Sequence, residues 1–245
     1  MYLIRGQHNL ELFKSRFKDI KLSGTIGNFD GLHLGHQAIL EKIKNNSQEF
    51  NSKTIVFFTE PHASEYFASI NNLHNKIPPR ICSWREKFKL LEKSGIDFAF
   101  FLKFNNSLRT MSPENFISEI LDSINLKSFT VGDDFRFGLD RKGDTDQLRE
   151  WGKKRGILVE NTETILYEDE RVSSSRIRKA LIDNNFKLAE KLLGRPYTFS
   201  GKVVHGQHLG RTIDIPTANI WLPKQKLPIQ GVYAVQCNLG EKTYY

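Results

Sequence analysis

Short apolar runs alternate with helical patterns through the first 185 or so residues, and then the alternation stops. Candidate strands at Gly24–Ile26, Thr54–Phe58, Phe98–Leu102, Ser128–Val131 and Ile157–Val159 are interleaved with candidate helices. The helices are expected at Leu34–Asn45, Trp84–Ser94, Pro113–Ile124, Asp144–Arg155 and Ser174–Asn184. Strand–helix–strand units of this kind pair their strands in parallel and lay the helix across the sheet, so the pattern predicts an α/β domain. Ser112 is placed to cap the third helix, with Pro113 at its first position, where a missing N–H costs nothing.

The texture then changes. Phe186–Leu193 reads as a short helix, and Gly194-Arg195-Pro196 is a stop signal. From Tyr197 the pattern is β and turn: Thr198–Val204, glycines 206 and 210, prolines 216, 223 and 228, then Gly231–Val235. Strands without helices predict a small barrel or sandwich. The domain boundary is placed near residue 186, giving units at 1–186 and 187–245.

With 39% apolar and 26% charged residues, the 245-residue chain has a globular composition. Its net charge of +8 includes no block of five Lys or Arg. A solvated basic surface that attracts anionic small molecules is therefore preferred to a nucleic-acid interface. Cys82 and Cys237 are far apart and form no C-x-x-C, so neither a zinc site nor a disulfide framework is indicated. Met1–Arg5 lacks the apolar stretch of a signal peptide, and no run approaches the roughly 18 apolar residues of a membrane span. A cytoplasmic setting with no membrane partner is the expectation.

Gly27-Asn28-Phe29-Asp30-Gly31-Leu32-His33-Leu34-Gly35-His36 joins the first candidate strand to the first long helix. A helix N-terminus presents unpaired N–H groups and partial positive charge, which suit an anion. Gly35 admits a ligand close to the backbone, and the imidazoles add donors. The segment reads as a phosphate cradle and its ligand as a nucleotide. Neither G-x-x-x-x-G-K-[ST] nor G-x-G-x-x-G is present, so the cradle is of another kind.

His33-Leu34-Gly35-His36 resembles the H-x-G-H motif of the nucleotidylyltransferase superfamily. Val172-Ser173-Ser174-Ser175-Arg176-Ile177-Arg178 resembles that superfamily's second motif, I-S-S-T-x-x-R. Further segments narrow the likeness: Glu60-Pro61-His62, Pro79-Arg80 with Lys87, Phe104-Asn105, Met111–Phe116 and Val131–Gly138. So do Leu193–Tyr197 and Pro216-Thr217-Ala218-Asn219. Together they are similar to the bacterial bifunctional riboflavin kinase/FAD synthetases, from Ile4 to Val235. The resemblance implies a Rossmann-like nucleotidylyltransferase domain with a parallel sheet, followed by part of a small flavokinase β-barrel. It implies ATP, FMN and riboflavin as substrates, FAD as product and Mg²⁺ as cofactor.

Adenylyl transfer needs little acid–base help. The FMN phosphate has a second pKa of about 6 and is mostly ionised at neutral pH. Alignment and charge neutralisation then carry the catalysis. The resemblance assigns His33 and His36 to the ATP phosphates, and Ser174, Ser175 and Arg178 to the departing pyrophosphate. Gly27, Phe29, Asp30 and Gly35 complete the cradle, with Asn105 and Asp134 on the nucleotide or flavin side. Asp30 as an Asx-turn residue, Asn105 as a loop cap and Asp134 as a turn carboxylate stay open alternatives. Gly206 and Gly210 would hold ATP phosphates in the kinase half, and Thr217 and Asn219 its metal.

The kinase nucleophile is a neutral alcohol, which needs a positioned base. The family's base is a glutamate on a later strand, and Glu241 matches no such position. Ile213-Asp214-Ile215 stands where the family has Gly-Phe before the proline. The kinase half is therefore expected to be incomplete, with about 60 residues, near the lower size limit of an independent core. Two other readings remain: a nucleotidylyltransferase with another phosphate acceptor, such as a pantetheine or glycerol phosphate, and a non-enzymatic RNA- or flavin-binding module using some of the 18 Phe residues.

Overall fold

The computed structural model describes residues 1–73, 75, 77–206, 217–222 and 226–244. Six strands form one parallel sheet: β1 (Tyr2–Arg5), β2 (Leu22–Ile26), β3 (Lys53–Glu60), β4 (Phe98–Lys103), β5 (Leu126–Gly132) and β6 (Leu158–Thr162). Their spatial order is β1-β4-β3-β2-β5-β6. From β2 the chain builds outward first on one side and then, from β5, on the other. In open α/β sheets such a reversal leaves a crevice at the carboxyl ends of the strands, here β2 and β5.

The connections carry α1 (Leu10–Phe17), α2 (Leu34–Glu49), α3 (Ala63–Ile70), α4 (Trp84–Lys93), α5 (Asn106–Thr110), α6 (Pro113–Phe116) and α7 (Thr145–Arg155). Then come α8 (Ser174–Ile182) and α9 (Phe186–Leu193). Alternate residues of β3 divide between the faces of the sheet, as a period of two requires. Ile55 and Phe57 join the core that includes Phe13, Phe100, Phe129 and Trp151, while Val56 and Phe58 join Leu40, Ile43 and Leu91. Every residue of β2 is buried, as expected of a central parallel strand covered on both faces.

All five expected strands of this sheet are present, some longer than their apolar runs. The edge strand β1 and the helices α1, α3 and α5 were not anticipated, because each is short or only weakly patterned. The helix expected at Pro113–Ile124 is interrupted. Ser112 caps α6, accepting from the Asn115 N–H at 3.1 Å, but Ile117–Leu121 widens into a π turn. There the Asp122 N–H donates to the Ile117 carbonyl at 2.8 Å, and Ile120 and Leu121 are both buried.

A third core joins α8 and α9 through Ile177, Leu181, Ala189, Leu192 and Leu193, with Leu34 of α2 and Tyr197 against it. Packing is thus continuous across residue 186, where α9 buries its apolar face on α8. Gly194 ends α9 in the left-handed conformation that the Gly194-Arg195-Pro196 stop predicts.

Further pairs are antiparallel: β7 (Leu166–Tyr167) with β8 (Glu170–Arg171), β9 (Lys202–Val204) with β10 (Asn219–Trp221), and β11 (Cys237–Leu239) with β12 (Lys242–Tyr244). The strand expected at Thr198–Val204 shrinks to its last three residues. Gly231–Val235 is not a strand; among the described residues no partner pairs with it, and Val232 and Val235 are exposed. Gly210 and residues Ile213–Pro216 lie outside the described residues.

Candidate active site

His33 is the N-cap of α2, and its Nδ1 accepts from the His36 N–H at 3.4 Å. A neutral imidazole that accepts through Nδ1 carries its proton on Nε2, which makes Nε2 a donor. The two rings stack with centroids 3.7 Å apart, and Phe29 packs 5.0 Å from His36. Burial pushes the His33 pKa down to about 4, against the opposing charge of Asp30. Burial, then His33 and Lys87, hold His36 well below the usual histidine value. Both rings are therefore neutral at pH 7. As neutral rings they offer N–H donors and carry no charge.

The second motif starts a second helix beside the first. Ser173 caps α8, accepting from the Arg176 N–H at 3.2 Å. The Ser174 hydroxyl donates to the Asp30 carbonyl at 3.0 Å. A Cβ on Gly35 would stand 3.5 Å from the Val172 carbonyl and 3.2 Å from the His33 ring. Two helix N-termini thus meet at the carboxyl end of the sheet, with a glycine where they approach. Ser175 is exposed in the first turn of α8.

Asp30 and Arg178, both expected in the site, are bonded to each other. Asp30 is buried, and its carboxylate accepts from the Ile81 N–H and the Cys82 N–H, both at 3.2 Å, and from Arg178 Nη2 at 2.6 Å. Arg178 Nε donates to the Pro79 carbonyl at 2.7 Å. The carboxylate in this state faces protein donors. In this state Arg178 clasps the cradle instead of facing pyrophosphate. Phe29 is likewise buried in the core, and Gly27 lies against its ring. Asn105 caps α5, accepting from the Leu108 N–H at 3.0 Å, which is the capping alternative. Asp134 is exposed and pairs with Arg171 at 2.9 Å, which holds its carboxyl below the usual range.

A second cluster follows β3, at the same end of the sheet. Lys87 is fully buried, with Nζ 3.3 Å from His62 Nε2 and 4.9 Å from the Phe58 ring centroid. Burial lowers the Lys87 pKa, and burial together with Lys87 and Arg80 takes His62 to about 2. Arg80 is neutralised by Glu60, at 2.8 Å, and by Glu65. Beside this cluster Tyr66 and Phe67 of α3 meet Phe104, with Tyr66–Phe104 centroids 5.4 Å apart. Phe67 is 39% exposed, and the Arg109 guanidinium lies 5.7 Å from its ring. The motif segments Glu60-Pro61-His62, Pro79-Arg80 and Lys87 meet here, although none of these residues was expected in the site. A helix expected just after β3 would have put these aromatics beside the cradle.

In the later segment, pairing of β9 with β10 brings Gly206 against the Asn219 side chain. Thr217 and Asn219 are exposed. Among the described residues no three His, Cys, Asp or Glu side chains cluster as a metal site, and no helix is long and apolar enough to cross a membrane.

Six parallel strands with two apposed helix N-termini at their carboxyl end define an α/β nucleotidyltransferase-like domain. The FAD synthetase family model matches residues 17–176, and the riboflavin kinase model matches residues 193–245. The bifunctional riboflavin kinase/FMN adenylyltransferase of Escherichia coli (strain K12) is 42% identical over 244 residues, covering 99% of this chain and 75% of that protein. Its Haemophilus influenzae counterpart is 40% identical over 243 residues, covering 98% and 75%. A crystal structure from Streptococcus pneumoniae, described as a macrolide-efflux protein, superposes with a TM-score of 0.77 at 28% identity, covering 99% of this chain and 76% of that one. The chain belongs to the bifunctional riboflavin kinase/FMN adenylyltransferase family.

Proposed function

We propose that the crevice between α2 and α8 is where AMP passes from ATP to FMN. The observation that carries this is the Ser174–Asp30 contact at 3.0 Å, which holds the two helix N-termini side by side. The nucleophile is an FMN phosphate oxygen, already ionised, which attacks the α-phosphorus; a P–O bond forms there as the bond to pyrophosphate breaks. No proton has to move, which suits a site whose histidines are neutral. His33 and His36 donate to phosphate oxygens, the first-turn amides of α2 and α8 add their dipoles, and Ser175 faces the pyrophosphate. Mg²⁺ arriving with ATP adds charge neutralisation.

The exposed Phe67, with Tyr66 and Phe104, offers an aromatic face for the flavin ring, and Arg109 lies over it. The phosphorylation of riboflavin would fall to the segment from residue 187 onward, in which Glu241 matches no family position for the base the alcohol needs. There Gly206 would approach ATP phosphates, while Thr217 and Asn219 offer the neutral oxygen donors that Mg²⁺ accepts. The cytoplasm, where ATP is supplied, is the compartment that suits both reactions.

His36→Ala removes one donor from the cradle. It is expected to keep its fold by circular dichroism and to lose at least about 100-fold in kcat/KM for FAD formation. Near-wild-type turnover of FMN with ATP would remove the assigned role.

A further inference from the structure

The cradle loop is bent in a way that side chains resist. Phe29, Gly31 and Leu32 have φ of 48°, 79° and 44°, so two residues with a Cβ sit in the left-handed region within four positions. Something must hold this shape. Arg195, in the turn after α9, is half-buried and reaches back across the chain. Its Nη2 donates to the Gly31 carbonyl at 2.6 Å, and its Nη1 donates to the Leu32 and Leu193 carbonyls at 3.3 Å. Gln37 Nε2 meets the same Leu32 and Leu193 carbonyls at 2.9 Å. The hydrogen bonds of its guanidinium all run to backbone carbonyls among the described residues. Burial lowers its pKa accordingly.

The geometry is specific to the function of the loop. Each peptide is planar, so the Gly31 carbonyl fixes the peptide on one side of Leu32 and the Leu32 carbonyl fixes the one on the other. The second of these peptides carries the N–H of His33, the cap of α2. A guanidinium fork can hold both planes at once, whereas an ammonium is a single point. Arg195 also lies inside the 193–245 match to riboflavin kinase, outside the 17–176 match to FAD synthetase.

We propose that Arg195 is a positioning residue for adenylyl transfer, lent by the opening of the riboflavin kinase segment to set the loop that aims His33, His36 and the α2 amides. The adenylyl-transfer half is then incomplete without the first residues of its neighbour. This rests on the cradle being the phosphate site.

The test uses the full chain with Arg195→Ala and Arg195→Lys, and Arg155→Ala, whose partner Asp122 lies away from the site, as a control. Two readouts are taken: amide hydrogen exchange over residues 31–36, and kcat and KM for FMN with ATP. Exchange is expected to rise at least tenfold in both Arg195 variants, and kcat to fall at least tenfold with a smaller change in KM. Millimolar guanidinium should restore much of the loss in Arg195→Ala and change nothing in Arg155→Ala. The lysine variant keeps charge and most of the stem, so it remains informative where the alanine variant does not fold. Wild-type exchange over 31–36, or wild-type kcat in the lysine variant, overturns the proposal. A wild-type protein that forms no FAD defeats the adenylyl-transfer reading instead, and the exchange result then decides on the loop alone.

Discussion

A carboxylate beside a phosphate site repels the ligand unless a cation neutralises it, and Arg178 does this for Asp30. The pair is buried, and its remaining bonds run to the backbone of residues 79–82, so it joins three distant stretches of chain at the foot of the cradle. Cys82 is drawn into the same knot. Its sulfur accepts from the Gly31 N–H at 3.1 Å, and burial pushes the thiol up to about 12, so it is a packing group and not a nucleophile. The histidines give this site a pH signature. The folded His33 pKa is about 4, below the 6.5 of the free side chain. Between these values the unfolded chain holds a proton that the folded chain does not. The stabilising contribution is thus complete above about pH 6.5 and is lost as pH falls toward 4. Between pH 7 and pH 4.5, wild type should lose up to about 2 kcal/mol more stability than His33→Asn, which keeps a capping acceptor but does not titrate. Urea unfolding at the two pH values measures this, and equal losses would contradict it.

At the scale of elements, the proposed flavin face rests on the helices after β3 and β4. α3 turns Phe67 outward where most Phe residues of the chain turn in. Phe67→Ala should raise the KM for FMN about tenfold while leaving the KM for ATP nearly unchanged, since an aromatic face contributes about 1–3 kcal/mol to stacking. Initial rates with each substrate varied in turn would show it, and a change confined to ATP would refute the platform. This part of the site was not legible in the sequence. α3 is a single short helix directly after a strand, and its aromatics resemble core residues until their exposure is known. α2, α7 and α8 were legible because capping side chains and long apolar periods mark them. His33, Asp144 and Ser173 each accept from the amide three residues on. Arg178 stands on the expected helix, where it pairs with Asp30 and the Pro79 carbonyl. A motif fixes where a residue stands in the chain, whereas Asp30 and Pro79 are brought to it only by the fold.

At the scale of the whole molecule, the strand–helix alternation was enough to predict a parallel sheet but not its order. Nothing in the periodicity says that β1 returns to pair with β4, or that the sheet reverses at β2. Those follow from which faces need covering once all the helices exist. The change in texture near residue 186 predicts two units; α9 packs on α8 across that position, and Arg195 reaches back to the Gly31 carbonyl. The net charge of +8 fits two anionic substrates meeting in one crevice. The central claim is that the bond broken is the one between the α-phosphorus of ATP and pyrophosphate, with FMN as acceptor. ATP labelled at the α-phosphate and, separately, at the γ-phosphate tests it directly. With FMN and the full chain, the α label should appear in FAD and the γ label in pyrophosphate, in equal amounts. Formation of ADP with the γ label on the flavin, or no FMN-dependent release of pyrophosphate, would contradict it.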